Sequence, residues 1–252
     1  MTNQLVDKTA IVLGASRGYG RGIALALAGT GMNVVAIARG ERDFAALAAA
    51  SPRIHPVIGD ITDPVLAAKL VARERPHLVA IVGGANPVTR PLAQHTWDTY
   101  AQTWNVDVKA TFTWTREALL LPLARGSTIV ICSSAAALRG SAISGNYAAA
   151  KAAQWRMAHA IAQEAEPLGI AVRCILPGLT TETELGRDAI AAFARAANTS
   201  EADWLARRGH DPMVPSHVGD AVVHIANDRD AKALGYHVTS RGASPIDERS
   251  AP

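Results

Sequence analysis

Short runs of apolar residues alternate along the chain with alanine-rich segments that are long enough to form helices. Most of these runs are apolar at every position, which is typical of strands buried on both faces of a sheet. Such strands, alternating with helices, predict a parallel sheet with helices on both faces. The predicted strands span residues 9–13, 34–38, 54–58, 78–82, 128–132, 172–176 and, with a weaker pattern, 235–239. We therefore predict an α/β, doubly wound fold with a mostly parallel, seven-stranded sheet.

Helix signals agree with this pattern. Asp63 and Pro64 open the segment "DPVLAAKLVARER" as a cap and a first helical residue. A long helix is predicted from about Tyr147, ending near Pro167 and Gly169. Because no linker or repeat interrupts the chain, we predict one domain over residues 1–252, with a substrate loop or lid at 180–215 and a polar tail at 245–252.

Composition narrows the functional classes. The chain of 252 residues is 49% hydrophobic and 19% charged, with a formal charge of +3 and scattered basic residues, which argues against a nucleic-acid partner. No apolar run is as long as a membrane span, and the start "MTNQLVDK" does not resemble a secretory signal.

Cys132 and Cys174 lie in apolar runs, which favours buried thiols in a reducing, cytoplasmic location. His210, His217 and His224 recur every seven residues, but intervening prolines argue against a metal site.

A glycine cluster, "GASRGYGRG", follows the first predicted strand and opens a helix. Glycines let the backbone approach a diphosphate, and the N–H groups and positive dipole end of the helix favour its charge. A tight strand-to-helix turn is the alternative interpretation, but the position in the alternating pattern favours a dinucleotide site in a Rossmann-like fold.

Two arginines indicate the cofactor. Arg17 lies within the glycine turn, and Arg39 follows the second strand, next to Ala38 at the position where an acid would bind the ribose hydroxyls of NAD. A guanidinium suits a 2′-phosphate, whereas a carboxylate would repel it. We therefore predict a preference for NADP(H), with ordinary surface arginines as the alternative.

The spacing of Gly14, Gly18 and Gly20 resembles that of the short-chain dehydrogenase/reductase family, although Leu13 stands where that family usually has threonine. The resemblance runs from about residue 7 to 240. It implies that Asp60 and Ile61, in "GDITD", contact the adenine. The loop after the fourth strand usually reads Asn-Asn-Ala-Gly in the family and here reads Gly-Gly-Ala-Asn, residues 83–86.

The resemblance also implies a catalytic set of Asn105, Ser134, Tyr147 and Lys151. Tyr147 and Lys151 are four residues apart and so share a helix face. A lysine ammonium there, helped by the positive nicotinamide ring in the oxidised complex, would lower the pKa of the phenol, which could then donate a proton in carbonyl reduction and accept one in alcohol oxidation. Ser134, at the family's spacing of thirteen residues before Tyr147, would hold the carbonyl oxygen. Ser133 is the neighbouring alternative. The family further implies that Lys151 bonds the nicotinamide ribose and that Asn105 holds a water.

"LPGLTTETEL" resembles the family's turn beside the nicotinamide, with Glu182 at the hydroxyl position and Thr181 or Thr183 as replacements. The whole predicted cofactor set is Gly14, Ser16, Arg17, Gly18, Tyr19, Gly20, Arg39, Asp60, Ile61, Gly83, Gly84, Ala85, Tyr147, Lys151, Pro177, Gly178 and Thr181.

Together these features predict an NADPH-dependent ketoreductase acting on a small molecule. Imine reduction, a redox-neutral step and a non-catalytic NADP sensor are the alternatives. Residues 90–97, 139–143 and 180–210 are predicted to line the substrate pocket, whose arginines and apolar side chains suit a partly apolar substrate with an acidic group. The resemblance also implies a homo-oligomer, a tetramer or a dimer, formed through the helices around residues 104–121 and 147 onward.

Overall fold

One sheet of eight strands runs through the residues that this computed structural model describes, 4–40, 44–209, 211–228 and 232–247. Its spatial order is β3-β2-β1-β4-β5-β6-β7-β8, and every pairing is parallel except that of β7 with β8. The strands are β1 (Thr9–Leu13), β2 (Asn33–Ala38), β3 (Ile54–Ile58), β4 (Leu78–Ile81), β5 (Thr128–Cys132), β6 (Ala171–Pro177), β7 (Gly235–Thr239) and β8 (Gly242–Pro245). The chain order reverses where β1 lies between β2 and β4, which makes a switch point.

Helices cover both faces of this sheet. They are α1 (Gly18–Gly29), α2 (Phe44–Ala50), α3 (Pro64–Glu74), α4 (Trp97–Thr103), α5 (Lys109–Leu120), α6 (Gly145–Ala165), α7 (Glu184–Ala196), α8 (Glu201–Arg208) and α9 (Pro215–Asn227), and a π-helical turn (Trp104–Val108) joins α4 to α5. Ala10 and Val12 of β1 point into one core cluster, with α1 and α9. Ile11 and Leu13 point into the other, with α3, α5 and α6. The predicted doubly wound α/β fold is confirmed.

The sheet has one more strand than the seven predicted. β8, "GASP", pairs antiparallel with β7, and its last residue, Pro245, lies opposite Tyr236. The prediction of a polar tail from residue 245 is therefore wrong at its start, and residues 248–252 of that tail lie outside the described residues. An edge strand need not be apolar and tolerates proline, so the sequence pattern did not indicate it.

Local helix signals behave as predicted. Asp63 accepts a hydrogen bond from the backbone N–H of Val65 at 2.8 Å, and Pro64 is the first residue of α3. Helix α6 begins two residues before Tyr147, at Gly145, and ends at Ala165, before Gly169 with its φ of 72°.

Residues 180–215, predicted as a loop or lid, contain two helices. Thr183 caps α7 by accepting from Gly186, and Ser200 caps α8 by accepting from Asp203. The two helices pack through Phe193 and Trp204, whose rings stack with centroids 5.4 Å apart. The helices were not predicted, because capped amphipathic helices interrupted by charges resemble a loop in the sequence. The predicted role of the segment as a substrate loop or lid stays a prediction.

The described residues contain no helix that is long and apolar enough to cross a membrane. Cys132 and Cys174 are both unpaired and buried, as predicted. His217 accepts from the backbone N–H of Val214 at the start of α9, whereas His210 lies outside the described residues. The cytoplasmic location stays a prediction.

Candidate active site

The carboxyl ends of β1, β4, β5 and β6 open on one cleft of about 1880 Å³ at the switch point. Its floor is the glycine turn between β1 and α1. A Cβ on Gly14, whose φ is 69°, would lie 2.4 Å from the Cα of Gly83, and a Cβ on Gly20 would lie 2.2 Å from the carbonyl oxygen of Gly14. Backbone segments therefore pass close to one another here, without side chains between them. The exposed backbone at the start of α1 fits a dinucleotide diphosphate.

At one end of the cleft lie Arg39, Asp60 and Ile61, all of which line it as predicted. Asp60 accepts a hydrogen bond from the backbone N–H of Thr62 at 2.8 Å, and this bond holds the pKa of its carboxyl below the ordinary value. The backbone carbonyl of Ile61 accepts from the indole N–H of Trp114, a fully buried residue of α5, at 2.8 Å. This end of the cleft is thereby fixed to the core.

Arg17 lines the cleft, but its guanidinium pairs with Glu184 at the start of α7. Tyr19, also in the glycine turn, donates a hydrogen bond from its hydroxyl to the carbonyl oxygen of Gly178 at 2.9 Å. Both contacts join the glycine turn to the segment that follows β6. The predicted residue Thr181 is absent from the cleft lining, where Thr183 lies instead, with its methyl group beside Gly18.

Ser134, Tyr147 and Lys151 all line the same cleft, beyond the glycine turn. The ammonium of Lys151 lies 5.6 Å from the ring centre of Tyr147. Ser133 is the buried neighbour, and its hydroxyl donates to the backbone carbonyl of Lys151 at 2.7 Å. The geometry therefore favours Ser134 over Ser133 as the residue that can meet a ligand.

Asn105, the fourth predicted catalytic residue, does not join this cluster. It is exposed in the π-helical turn, outside the cleft lining, and Asp107 takes the inward position two residues later. Asp107 is 1% exposed, and its Oδ2 lies 2.9 Å from Nζ of Lys151. Its Oδ1 accepts from the backbone N–H of Ala85 at 2.8 Å. The physical reason is helical geometry, because residues two apart face opposite sides of a helix.

Lys151 is buried among acceptors. Its Nζ donates to the carbonyl oxygen of Cys132 at 3.1 Å and to Oε1 of Gln154 at 2.8 Å. Gln154 in turn donates to Oγ1 of Thr111 and to the backbone carbonyl of Asp107. Burial acts to lower the pKa of Lys151, but the carboxylate of Asp107, together with the neighbouring Tyr147 and Cys132, raises that pKa overall, so the side chain is an ammonium.

Burial changes the pKa of the Tyr147 phenol in the opposite direction from that of Lys151. It raises the pKa of Tyr147, while the Lys151 ammonium and a hydrogen bond with the Ser134 hydroxyl act against the rise and Asp107 adds to it. Lys151 acts to lower the pKa of the phenol, as predicted, but burial outweighs it in the protein alone. The lowering predicted for the complex with oxidised cofactor stays a prediction. The sequence pattern indicated neither the burial that raises this pKa nor the carboxylate of Asp107 that adds to the rise.

The predicted substrate stretches are only partly in the cleft. Of residues 90–97 none lines it, because the chain turns away after Thr89. Arg139 and Ser141 line it, as do Phe193, Trp204 and Arg208 of the two helices after β6. The guanidinium of Arg208 lies 5.2 Å from the ring centre of Trp204. The outer cleft thus combines cations with an aromatic stack.

The comparisons with known proteins agree with this geometry. Residues 8–192 match the family model described as short chain dehydrogenase. A short chain dehydrogenase of Pseudocercospora fijiensis is 30% identical, and the match covers 98% of this chain and 84% of that protein. The L-xylulose reductase of Bos taurus is 25% identical over 96% of this chain and 98% of its own length.

Among solved structures, a short chain dehydrogenase from Burkholderia cenocepacia in complex with NADP superposes with a TM-score of 0.80 at 25% identity, covering 94% of this chain and 98% of that one. The fold and cleft define a Rossmann-like oxidoreductase. More particularly, the chain belongs to the short-chain dehydrogenase/reductase family, whose members act on small carbonyl or alcohol substrates with NAD(P).

The two neighbouring serines allow a matched test. We expect Ser134→Ala to lower kcat/KM by about two to three orders of magnitude, because a donor to the developing oxyanion is lost. Ser133→Ala should instead lower the free energy of unfolding by about 1 kcal/mol through its lost buried hydrogen bond. Steady-state kinetics and urea unfolding of both variants measure these effects. Equal kinetic losses in the two variants would contradict the assignment.

Proposed function

We propose that this protein is an NADPH-dependent reductase that converts a small ketone or other carbonyl compound to the alcohol, or catalyses the reverse reaction. The observation that carries the proposal is the convergence of Ser134, Tyr147 and Lys151 in one cleft with the glycine turn. The L-xylulose reductase among the relatives supports carbonyl reduction as the chemistry.

The residues take the following roles. When bound, NADPH supplies a hydride to the carbonyl carbon. The hydroxyl of Ser134 donates a hydrogen bond to the carbonyl oxygen and stabilises the charge that develops on it. The phenol of Tyr147 donates its proton to this oxygen as the alcohol forms. The ammonium of Lys151 stabilises the phenolate that remains. In the oxidation direction Tyr147 accepts the proton.

The cofactor would be held by the residues that line the cleft from the glycine turn to the turn after β6. These are Gly14, Ser16, Arg17, Gly18, Tyr19, Gly20, Arg39, Asp60, Ile61, Gly83, Gly84, Ala85, Pro177, Gly178 and, in place of Thr181, Thr183. Lys151 adds an ammonium beside the catalytic phenol.

The preference for NADP rests on charge. Arg39 is exposed in the cleft, and the preceding position is Ala38, so the acid that would bind the ribose hydroxyls of NAD is missing at that position. Because Arg17 is paired with Glu184, Arg39 is the better candidate for the phosphate. The related structure in complex with NADP supports this assignment.

The side chains that line the outer cleft suggest which substrates to test first. Arg139 and Arg208 favour an anionic group, and the stack of Phe193 on Trp204 favours apolar surface. Keto acids, hydroxyketones and apolar ketones are therefore the three classes for a screen of NADPH oxidation. Imines belong in the same screen, and no turnover of any class would favour the non-catalytic alternative.

A homo-oligomer is also part of the proposal. Phe112 and Leu120 are eight residues apart on α5 and lie on one face, with 57% and 63% of their surface exposed, and Trp104 extends that face into the π-helical turn. A row of exposed large apolar side chains is typical of a protein interface.

The first prediction from this proposal concerns proton transfer. We expect Tyr147→Phe to lower kcat by roughly two to four orders of magnitude, because the proton donor is lost while the shape of the ring is kept. NADPH binding, followed by fluorescence titration, should persist in the variant. Near-normal turnover would remove Tyr147 from the reaction.

The second concerns the cofactor. We expect Arg39→Asp to lower the preference for NADPH over NADH, measured as a ratio of kcat/KM values, by about tenfold or more, because a charge-assisted bond becomes a repulsion. Lys69→Asp makes the same charge change at an exposed position of α3 and should leave the ratio unchanged. An unchanged ratio in Arg39→Asp would contradict the assignment.

The third concerns assembly. Sedimentation velocity should reveal a dimer or tetramer, and Phe112→Glu should shift it toward monomer, because a charge would be buried in the interface. Val65→Glu, at a side chain 72% exposed on α3, is the matched control and should change nothing. A wild-type protein that sediments only as monomer would count against the oligomer.

A further inference from the structure

A buried carboxylate faces the ammonium of the proposed acid/base pair. The side chains of Asp107 and Lys151 are 1% and 6% exposed, and their charged atoms are 2.9 Å apart. At this separation, away from water, each charge strongly influences the other and any third charge nearby.

The fold makes room for this carboxylate. A Cβ on Gly84 would lie 2.6 Å from Oδ2 of Asp107, so a side chain at residue 84 would collide with it. The neighbouring N–H of Ala85 donates to the other carboxylate oxygen. The glycines that replace the asparagines of the family's loop therefore accompany a carboxylate that takes over the bracing of that loop.

The charges around Tyr147 can be added up. In the part of the chain that the structure describes, the titratable groups facing the phenol are Lys151 on its own helix, Asp107 on the π-helical turn, Cys132 at the end of β5 and Tyr19 on α1. Burial raises the pKa of the Cys132 thiol to about 11 and also raises the pKa of Tyr19, so both are neutral near pH 7. The negative charge of Asp107 and the positive charge of Lys151 cancel each other.

With Tyr147 as a phenol the cluster is therefore neutral, and with Tyr147 as a phenolate it would carry one net negative charge. Excess charge in a desolvated site is unfavourable. Without the carboxylate, the same ionisation would turn a cationic cluster into a neutral one. The carboxylate of Asp107 thus opposes loss of the phenolic proton.

We propose that Asp107, through its buried ion pair with Lys151, holds Tyr147 in the protonated form and so extends the reductive reaction to higher pH. Asp107 acts through another residue and is a positioning residue. The inference rests on the proposed function, because it assumes that Tyr147 is the proton donor.

The test is the pH dependence of Asp107→Asn. An amide oxygen can still accept from Ala85, but the negative charge is gone. Reductive kcat/KM at saturating NADPH requires the phenol and declines as pH rises through its pKa. Because the substitution removes an influence that raises this pKa, the decline should begin about one to two pH units lower in the variant. Asp220→Asn, an exposed carboxylate on α9, should not shift the profile.

A second readout does not depend on turnover. The near-ultraviolet absorbance of tyrosinate is titrated in the cofactor-free protein, and the contribution of Tyr147 is obtained by subtracting the titration of Tyr147→Phe. The midpoint should fall in Asp107→Asn. Lys151 keeps Cys132 and Gln154 as acceptors in this variant, which favours proton loss from the phenol rather than from the ammonium. An unchanged or higher midpoint would overturn the inference.

Two further variants separate the possible failures. If Asp107→Asn does not fold, Gly84→Ala pushes the carboxylate away from Lys151 and should lower the same midpoint by a smaller amount, and no shift there would also overturn the inference. If Tyr147→Phe turns over normally, the proposed function fails. If Tyr147→Phe is inactive while Asp107→Asn leaves both the profile and the midpoint unchanged, only the inference fails.

Discussion

The buried ion pair between Asp107 and Lys151 joins the segments on which the cleft depends. Through Ala85 it fixes the loop after β4, and through Cys132 and Gln154 it fixes the end of β5 and the interior face of α6. Such a pair adds little net stability, because both charges lose their water, but loss of one partner costs about 3–5 kcal/mol. Its main effect is on geometry and charge, because it determines where the ammonium lies and how much of its field reaches Tyr147.

The π-helical turn explains how the pair is possible. A π turn shifts the side chains that follow it around the helix axis relative to a regular α-helix. The backbone carbonyl of Asp107 accepts from two side chains, Oγ1 of Thr111 at 2.9 Å and Nε2 of Gln154 at 3.2 Å. The local irregularity is therefore satisfied by specific polar residues, and it places the carboxylate inward with its backbone held from two helices.

These details separate what the sequence could predict from what it could not. The apolar runs, most of them continuous, identified the seven parallel strands, because a strand buried on both faces has few polar positions to obscure it. The same reasoning could not identify β8, an edge strand, or α7 and α8, whose charged residues face water. Among the candidate site residues, Tyr147 and Lys151 were placed by their spacing on α6, and Ser134 by its spacing from Tyr147. Asn105 and Thr181 were misplaced because their registers depend on a π turn and on a helix cap, which motif spacing does not reveal.

The contacts across the cleft differ in strength in a way that suits an enzyme with a fixed reaction centre and an adaptable substrate side. The segment from Gly178 to α7 is joined to the cofactor side by Tyr19, by the exposed pair of Arg17 with Glu184 and by a bond from Asn86 to Asp188 at 3.0 Å. Exposed ion pairs contribute on the order of 1 kcal/mol or less, so the pair of Arg17 with Glu184 can break and reform when a ligand enters. The interior pair cannot do so without leaving a buried charge alone. The candidate reaction centre is thereby held by a buried ion pair, whereas the segment after β6 is held in part by an exposed ion pair that solvent weakens.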